Sequence, residues 1–244
     1  MSEGASARPT ISFCTTCMGR RHHLERLYRR NVELALTYER VEFVLLDYGS
    51  TDGLRDWVER DLGRFVEQRI VHYHRTAAPR LFHMAHAKNV AHRLASGDVV
   101  VNLDADNWFA RGFAEEIGAA FANGERVIAL FRAYRAGCTG RIALRRADFL
   151  ALGGYDEDLS GWGFEDADLV RRARRFGLER RYLDPRHAHA LQHSDDERMR
   201  FAPNKDKHRQ RRENEWRSAK NLAALRFVAN RGREWGTCAL ERSA

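Results

Sequence analysis

The sequence predicts an α/β domain built on a mostly parallel central sheet with helices on both faces. Three observations predict it. Short apolar runs alternate with segments of helical period, acidic clusters fall where those runs end, and 244 residues are enough to bury one large core.

Residues 10–14 (TISFC) read as the first strand, followed by a polar turn and a helix in which Leu24, Leu27, Tyr28, Leu34 and Ala35 recur near the 3.6-residue period. Residues 41–46 (VEFVLL) form a continuous apolar run stopped by Asp47-Tyr48-Gly49-Ser50, the signature of a buried strand that ends in a turn. Ser50, Thr51 and Asp52 then stand ready to cap a helix reaching residue 60. A third short strand fits residues 69–73, and a helix fits 84–95, closed by Ser96-Gly97-Asp98.

Residues 98–103 (DVVVNL) are β-branched and stop abruptly at Asp104-Ala105-Asp106-Asn107. Acidic groups therefore sit at the carboxyl end of a central strand, where open α/β sheets bind their ligands. A helix at 112–122, a strand at 127–131 and a stretch at 143–152 lead into Gly153-Gly154-Tyr155-Asp156. Three units are expected: a flexible N-terminus at 1–9, a catalytic domain at 10–194, and a basic, mainly helical extension at 195–244. The extension offers only a thin apolar stripe of Trp216, Leu222, Leu225 and Val228.

The formal net charge of +8 favours phosphate-bearing partners without saying which. Basic and aromatic residues do not interleave as in single-strand binders, so nucleic acid is not expected. No stretch approaches the ~20 apolar residues of a membrane span, and residues 1–9 lack an apolar leader core, which predicts a cytoplasmic protein. Cys14 and Cys17 form one CxxC without a second, so they read as packed residues at a strand end. The basic run at 204–212 leaves several roles open: closure over a diphosphate, a peripheral seat on an anionic membrane, dimer contacts, or a solvated helix face.

Three groups of carboxylates stand at loop positions: Asp47 with Asp52, Asp104 with Asp106, and Glu165 with Asp166 and Asp168. Clustered carboxylates repel unless neutralised. A hard divalent cation is the usual answer. A lone Asp-x-Asp is equally compatible with a turn and helix cap, and the third cluster with the acidic first turn of a helix. The segment GGYDEDLSGWGFEDADL narrows the choice.

The order DYGSTDG, GDVVVNLDADN, GGYDEDLSGWGFEDADL resembles the A-type glycosyltransferase fold, GT-A, of the large family-2 class, over residues 10–193. Its last segment is similar to the GWGGEDDD signature of β-1,4-galactosyltransferases and the WGGE region of polypeptide N-acetylgalactosaminyltransferases. The resemblance implies a UDP-sugar donor, Mn²⁺ or Mg²⁺, and a carbohydrate, peptide or small-molecule hydroxyl acceptor. It implies Asp47 at the uracil ring, Thr15, Arg20 and Lys88 at the donor, and Asp104 at a ribose or metal-bound water. Asp106 would bind the metal, with His193, or as second choice His189, completing the site. Asp166 aligns with the general base of inverting transferases. Trp162, Glu165 and Asp168 would contact sugars. Phe164 and Ala167 depart from the signature, standing where it has glycine and an acid. A retaining transferase, a sugar-nucleotide pyrophosphorylase and a basic nucleic-acid module are the rival readings. The loop CTTCMGRR, with one glycine, argues against the pyrophosphorylase.

Overall fold

Seven strands hydrogen-bond into one sheet in the computed structural model, which describes residues 8–77, 79–132 and 137–241. In chain order the elements begin with β1 (Ile11–Cys17), α1 (Arg21–Ala35) and β2 (Val41–Tyr48). Next come α2 (Leu54–Trp57), continued through a π-helical turn into α3 (Gly63–Glu67), then β3 (Val71–Thr76) and α4 (Met84–Leu94). The centre of the chain supplies β4 (Val99–Asn102), β5 (Asn107–Trp108), α5 (Phe113–Phe121), β6 (Val127–Leu130), β7 (Ile142–Arg145) and α6 (Arg146–Ala151). The last third holds α7 (Glu165–Arg175), β8 (Glu179–Tyr182), β9 (His189–Ala190), α8 (Asp195–Arg198) and α9 (Lys207–Ala223).

The strand order is β3-β2-β1-β4-β7-β6-β8. All neighbours pair in parallel except β7, which runs against both β4 and β6. The α/β class and the mostly parallel, helix-flanked sheet are as expected. Both faces of the sheet are covered, which is why its strands are apolar throughout rather than alternating. Phe13, Phe43, Val101 and Ala129 pack with α1 and α5 on one face, and Cys14, Val44, Val100 and Ile128 pack with α4, α6 and α7 on the other.

Several boundaries moved. β1 runs on to Cys17, three residues past the predicted end, because parallel pairing with β2 continues through Cys17 and Asp47. β8 carries three charged residues in four, so its sequence shows no strand pattern, and pairing with β6 alone brings it into the sheet. Cys14 and Cys17 are buried and unbridged, and burial pushes the Cys17 thiol up to about 12. No helix among the described residues is long and apolar enough to cross a membrane.

In segment 195–241, α9 packs against the rest of the chain through polar side chains. Gln210, Asn214 and Ser218, spaced four apart on α9, are buried, whereas Trp216 and Leu225 of the expected apolar stripe are exposed. The buried polar side chains meet the loop before α7. Gln210 accepts from the Trp162 amide at 2.7 Å, and Asn214 donates to the Ser160 and Gly163 carbonyls at 3.0 and 2.8 Å. Most of the predicted flexible N-terminus, residues 1–7, lies outside the described residues.

Candidate active site

A cavity of about 720 Å³ opens at the carboxyl ends of β1 and β4 and extends along α7 toward β6 and β8. That volume is within the ~300–1,000 Å³ usual for small-molecule sites. Among the residues expected at the site, Arg20, Lys88, Asp104, Asp106, Trp162, Glu165, Asp166 and His193 line it.

Asp106 and His193 meet because a small antiparallel ribbon of β5 and β9 crosses the sheet end. The fully buried Arg141 fastens that ribbon, its guanidinium donating to the Asn107 side chain at 3.0 Å and to the His189 carbonyl at 3.0 Å. The Leu191 amide donates to the Asp106 carbonyl at 2.8 Å, which brings the chain back over the Asp-x-Asp turn. Asp106 Oδ1 accepts from Asn107 at 2.8 Å and its Oδ2 lies 2.8 Å from His193 Nε2. Burial alone would lift the Asp106 carboxyl, but the His193 contact outweighs it and holds the group below the usual carboxylate range. A carboxylate and an imidazole in contact, Asp106 and His193, offer a donor pair that suits manganese or magnesium once phosphate oxygens and water fill the remaining positions.

A second group capable of holding a cation lies alongside. His22 and His23, at the start of α1, and Glu197 of α8 put their ligating atoms within 4.8 Å of one another. The His23 ring is 5.2 Å from that of His193, and burial lowers the His23 imidazole to about 4, so it is neutral.

Asp166 stands at the head of α7. The turn before it is left-handed at Gly161, Gly163 and Phe164, with φ of 77°, 87° and 78°. Phe164 thus holds a left-handed backbone shape that favours glycine, at a cost of about 1 kcal/mol. A side chain at Gly161 would collide with Gln210, which explains the glycine there. Across the cavity, a Cβ on Gly140 would come within 2.6 Å of Asp166 Oδ2 and 3.1 Å of Asp104 Oδ2. The two carboxylates therefore flank the same bare stretch of backbone, a role for Gly140 that the sequence did not show.

Lys88 explains how these acids coexist. Its side chain is 2% exposed, and Nζ donates to Glu165 Oε1 at 2.9 Å and to Asp166 Oδ1 at 2.7 Å. Burial opposes its charge, but the Asp166 and Glu165 carboxylates override that and hold the ammonium well above its ordinary value. Burial pushes the Asp166 carboxyl up to about 8, with Glu165 and Asp104 adding to the rise and Lys88 opposing it. Lys88 comes from α4 and both acids from α7, so two helices converge on one charge cluster.

Four expected site residues do not line the cavity. Asp168 is wholly buried against Arg172, 2.6 Å away, and Arg172 in turn donates to the Leu152 and Gly154 carbonyls. That pair braces the GGYD loop and touches no ligand space. Thr15 points to the opposite side of β1 from Thr16, which does line the cavity, because side chains alternate along a strand that extends to Cys17. His189 stacks on Trp108 at 3.7 Å between ring centres. Asp47 is 0% exposed, and its oxygens take the Ser50 amide at 2.7 Å, the Tyr73 hydroxyl at 2.7 Å and Arg75 at 3.2 Å. As placed, it organises the turn after β2 and presents no open face to a base.

Trp162 is flanked by cations, with Lys207 Nζ 4.7 Å and Arg198 5.9 Å from its ring centre. Sequence reasoning missed Phe201, Arg180, Tyr182 and Arg211, which also line the cavity. Of these, only Arg211 lies on an element with a legible signal, the polar pair Gln210 and Asn214 four apart on α9, which marks a helix held through hydrogen bonds rather than apolar contact.

A family model described as glycosyl transferase family 2 matches residues 12–191. Among solved structures, the mannosyltransferase PcManGT from Pyrobaculum calidifontis, in complex with GDP-Man and Mn²⁺, is similar with a TM-score of 0.65 at 20% identity, over 94% of this chain and 78% of its own. TarS from S. aureus is similar with a TM-score of 0.64 at 14% identity, over 91% of this chain and 66% of its own. GalNAc-T7 with UDP, GalNAc and Mn²⁺ gives 0.58 at 15% identity, over 75% of this chain and 44% of its own. At these identities the likeness is one of fold. No curated protein matches the chain by sequence.

Proposed function

We propose, from the premise that this chain belongs to glycosyl transferase family 2, that it transfers a sugar from a uridine-diphospho sugar to an acceptor hydroxyl with inversion at the anomeric carbon. The observation that carries this reading is the placement of Asp166, which faces Asp104 across Gly140 in the same cavity as the Asp106–His193 pair. An inverting displacement needs one carboxylate on the acceptor side of the sugar and the diphosphate on the other.

In this reading the acceptor oxygen attacks the anomeric carbon, the bond from that carbon to the diphosphate oxygen breaks, and the diphosphate leaves with the electron pair. Asp166 takes the hydroxyl proton. A carboxyl lifted to about 8 by burial is a stronger base than an exposed one, and the Lys88 ammonium holds its free oxygen toward the cavity. Glu165, anchored by the same lysine, and Trp162 form the wall against which the donor sugar rests. Thr16 near the end of β1 and Arg20 in the turn after it line the donor end of the cavity, where Arg20 would meet the diphosphate and Asp104 the ribose.

Asp106 and His193 would hold Mn²⁺ or Mg²⁺, the cation taking the place of the hydrogen bond between them, and Mn²⁺ in the complexes of PcManGT and GalNAc-T7 supports that assignment. When bound, the metal neutralises charge on the departing diphosphate. UDP in GalNAc-T7 and GDP-Man in PcManGT mark the two nucleotides that must be compared.

The test is calorimetric titration with UDP and with GDP, each with and without Mn²⁺, on the wild type and on Asp106→Ala. Binding of UDP that needs both metal and Asp106 supports the reading. Preference for GDP would change the donor, and failure of both nucleotides would withdraw the transferase assignment. Product NMR then decides stereochemistry, retention being the result that removes Asp166 as base.

A further inference from the structure

The donor residues come from β1, the turn after β4 and the head of α7, and they leave one end of the cavity unexplained. That end lies over β6 and β8, on the far side of β7 in the sheet. Its walls combine Leu130, Phe164 and Tyr182 with three arginines from separate elements: Arg171 of α7, Arg180 of β8 and Arg211 of α9. Every acid that lines the cavity is elsewhere, on the turn after β4 (Asp104, Asp106), at the head of α7 (Glu165, Asp166) or on α8 (Glu197). The guanidinium groups of Arg180 and Arg211 have no ion pair or hydrogen bond among the described residues. That of Arg171 lies across the Phe164 ring at 4.7 Å and reaches Glu215 only at 3.7 Å.

Surface arginines without partners are common. Three on separate elements that line one cavity, two of them unpaired among the described residues and the third paired only at 3.7 Å, are a different case, because they add positive charge to a concave wall that an entering anion would neutralise. Guanidinium groups bind phosphate and carboxylate through paired hydrogen bonds, and an aromatic floor adds a face for a sugar ring or an apolar chain. α9 is held to the GWG turn by Gln210 and Asn214, so Arg211 is presented from a fixed frame rather than from a free tail.

We propose that the acceptor is an anionic hydroxyl compound, a sugar or polyol carrying a phosphate or carboxylate, whose charge is gripped by Arg171, Arg180 and Arg211 while its hydroxyl meets Asp166. This rests on the glycosyltransferase reading and names the acceptor class for it.

The experiment loads the wild-type protein with saturating UDP and Mn²⁺ and titrates glucose 6-phosphate, glucuronate and glucose, then repeats this with Arg180→Ala and Arg211→Ala. The expected result is binding of at least one anionic probe and none of glucose. Each substitution weakens that binding about tenfold, as removing one charged hydrogen-bonding partner does, and leaves UDP affinity unchanged. A stronger response to glucose 6-phosphate than to glucuronate assigns phosphate, and the reverse assigns carboxylate. Equal binding of glucose, no binding of either anion, or no effect of the arginine substitutions would each overturn the proposal. If UDP itself does not bind, the glycosyltransferase reading has failed first, and the titration of UDP alone shows this separately.

Discussion

At the β1–β4 end of the cavity the charges are answered from within the protein. Asp106 meets His193 at 2.8 Å, and Lys88 bridges Glu165 and Asp166 at 2.9 and 2.7 Å. At the β6–β8 end, Arg180 and Arg211 meet no acid among the described residues. The difference follows from burial. Lys88 and Glu165 are almost fully enclosed, and an enclosed charge must be paired to be tolerated, whereas Arg180 and Arg211 are exposed and water can solvate them until a ligand arrives. One end is preorganised for chemistry and the other is left open for recognition. Substitutions at the first should therefore change rate, stability and pH dependence together, and substitutions at the second should change acceptor affinity alone.

The largest break expected is at Asp166. Asp166→Asn keeps the shape and removes the base, so kcat should fall about 10³-fold, within the range for general-base catalysis, while calorimetry shows UDP affinity unchanged. An unaltered kcat would place the base elsewhere. Lys88→Met comes next, because it leaves the buried Glu165 and the part-buried Asp166 without their cation, a loss of about 3 kcal/mol to be read from urea denaturation. A change near zero would mean that the cluster relaxes into water and is not preorganised.

The same pair makes a pH prediction. Burial raises the Asp166 carboxyl to about 8, so the protonated form dominates below that pH, and kcat/KM for the acceptor should climb with pH and level off above about 8. Lys88 pulls the group down, so Lys88→Met should move the bend to higher pH. A bend that stays in place would show that the lysine does not act on the base.

Asp106→Ala should weaken UDP binding in the presence of Mn²⁺ about 100-fold, since a metal site of this kind contributes several kcal/mol, and should leave metal-free binding as it was. The smallest effect belongs to the clamp that joins the two ends. Gln210→Ala deprives the Trp162 amide of its acceptor, and should cost about 1 kcal/mol of stability with KM raised more than kcat lowered. An effect on kcat alone would argue that α9 does no more than cover the turn.

The two ends also differ in how much of them the sequence disclosed. The Asp-x-Asp turn, the GWGFED segment and Lys88 were legible because each is a short motif at the end of a strand or the start of a helix, where local geometry already fixes which way the side chains face. Thr15 and Asp168 were named from the same segments and are buried away from the cavity. One extra turn of strand pairing reversed the first, and helical periodicity turned the second inward to Arg172. Asp47 was read as a ligand contact and is saturated by Ser50, Tyr73 and Arg75. The arginine wall gave no sequence signal, since Arg171, Arg180 and Arg211 lie in three elements with unremarkable charge patterns.

By itself, the sequence determined the α/β class, where strands fall along the chain before Asp104, and the places where carboxylates would gather, because apolar periodicity and turn chemistry act over a few neighbouring residues. Only the tertiary structure decided that β7 would run backward, that the β8 strand would join the sheet, that His193 rather than His189 would meet Asp106, and that α9 would hold the GWG turn with a polar face. Those outcomes depend on pairings between residues tens of positions apart. They are fixed by the need to satisfy buried charges and backbone groups across the fold, a constraint that no local window of sequence contains.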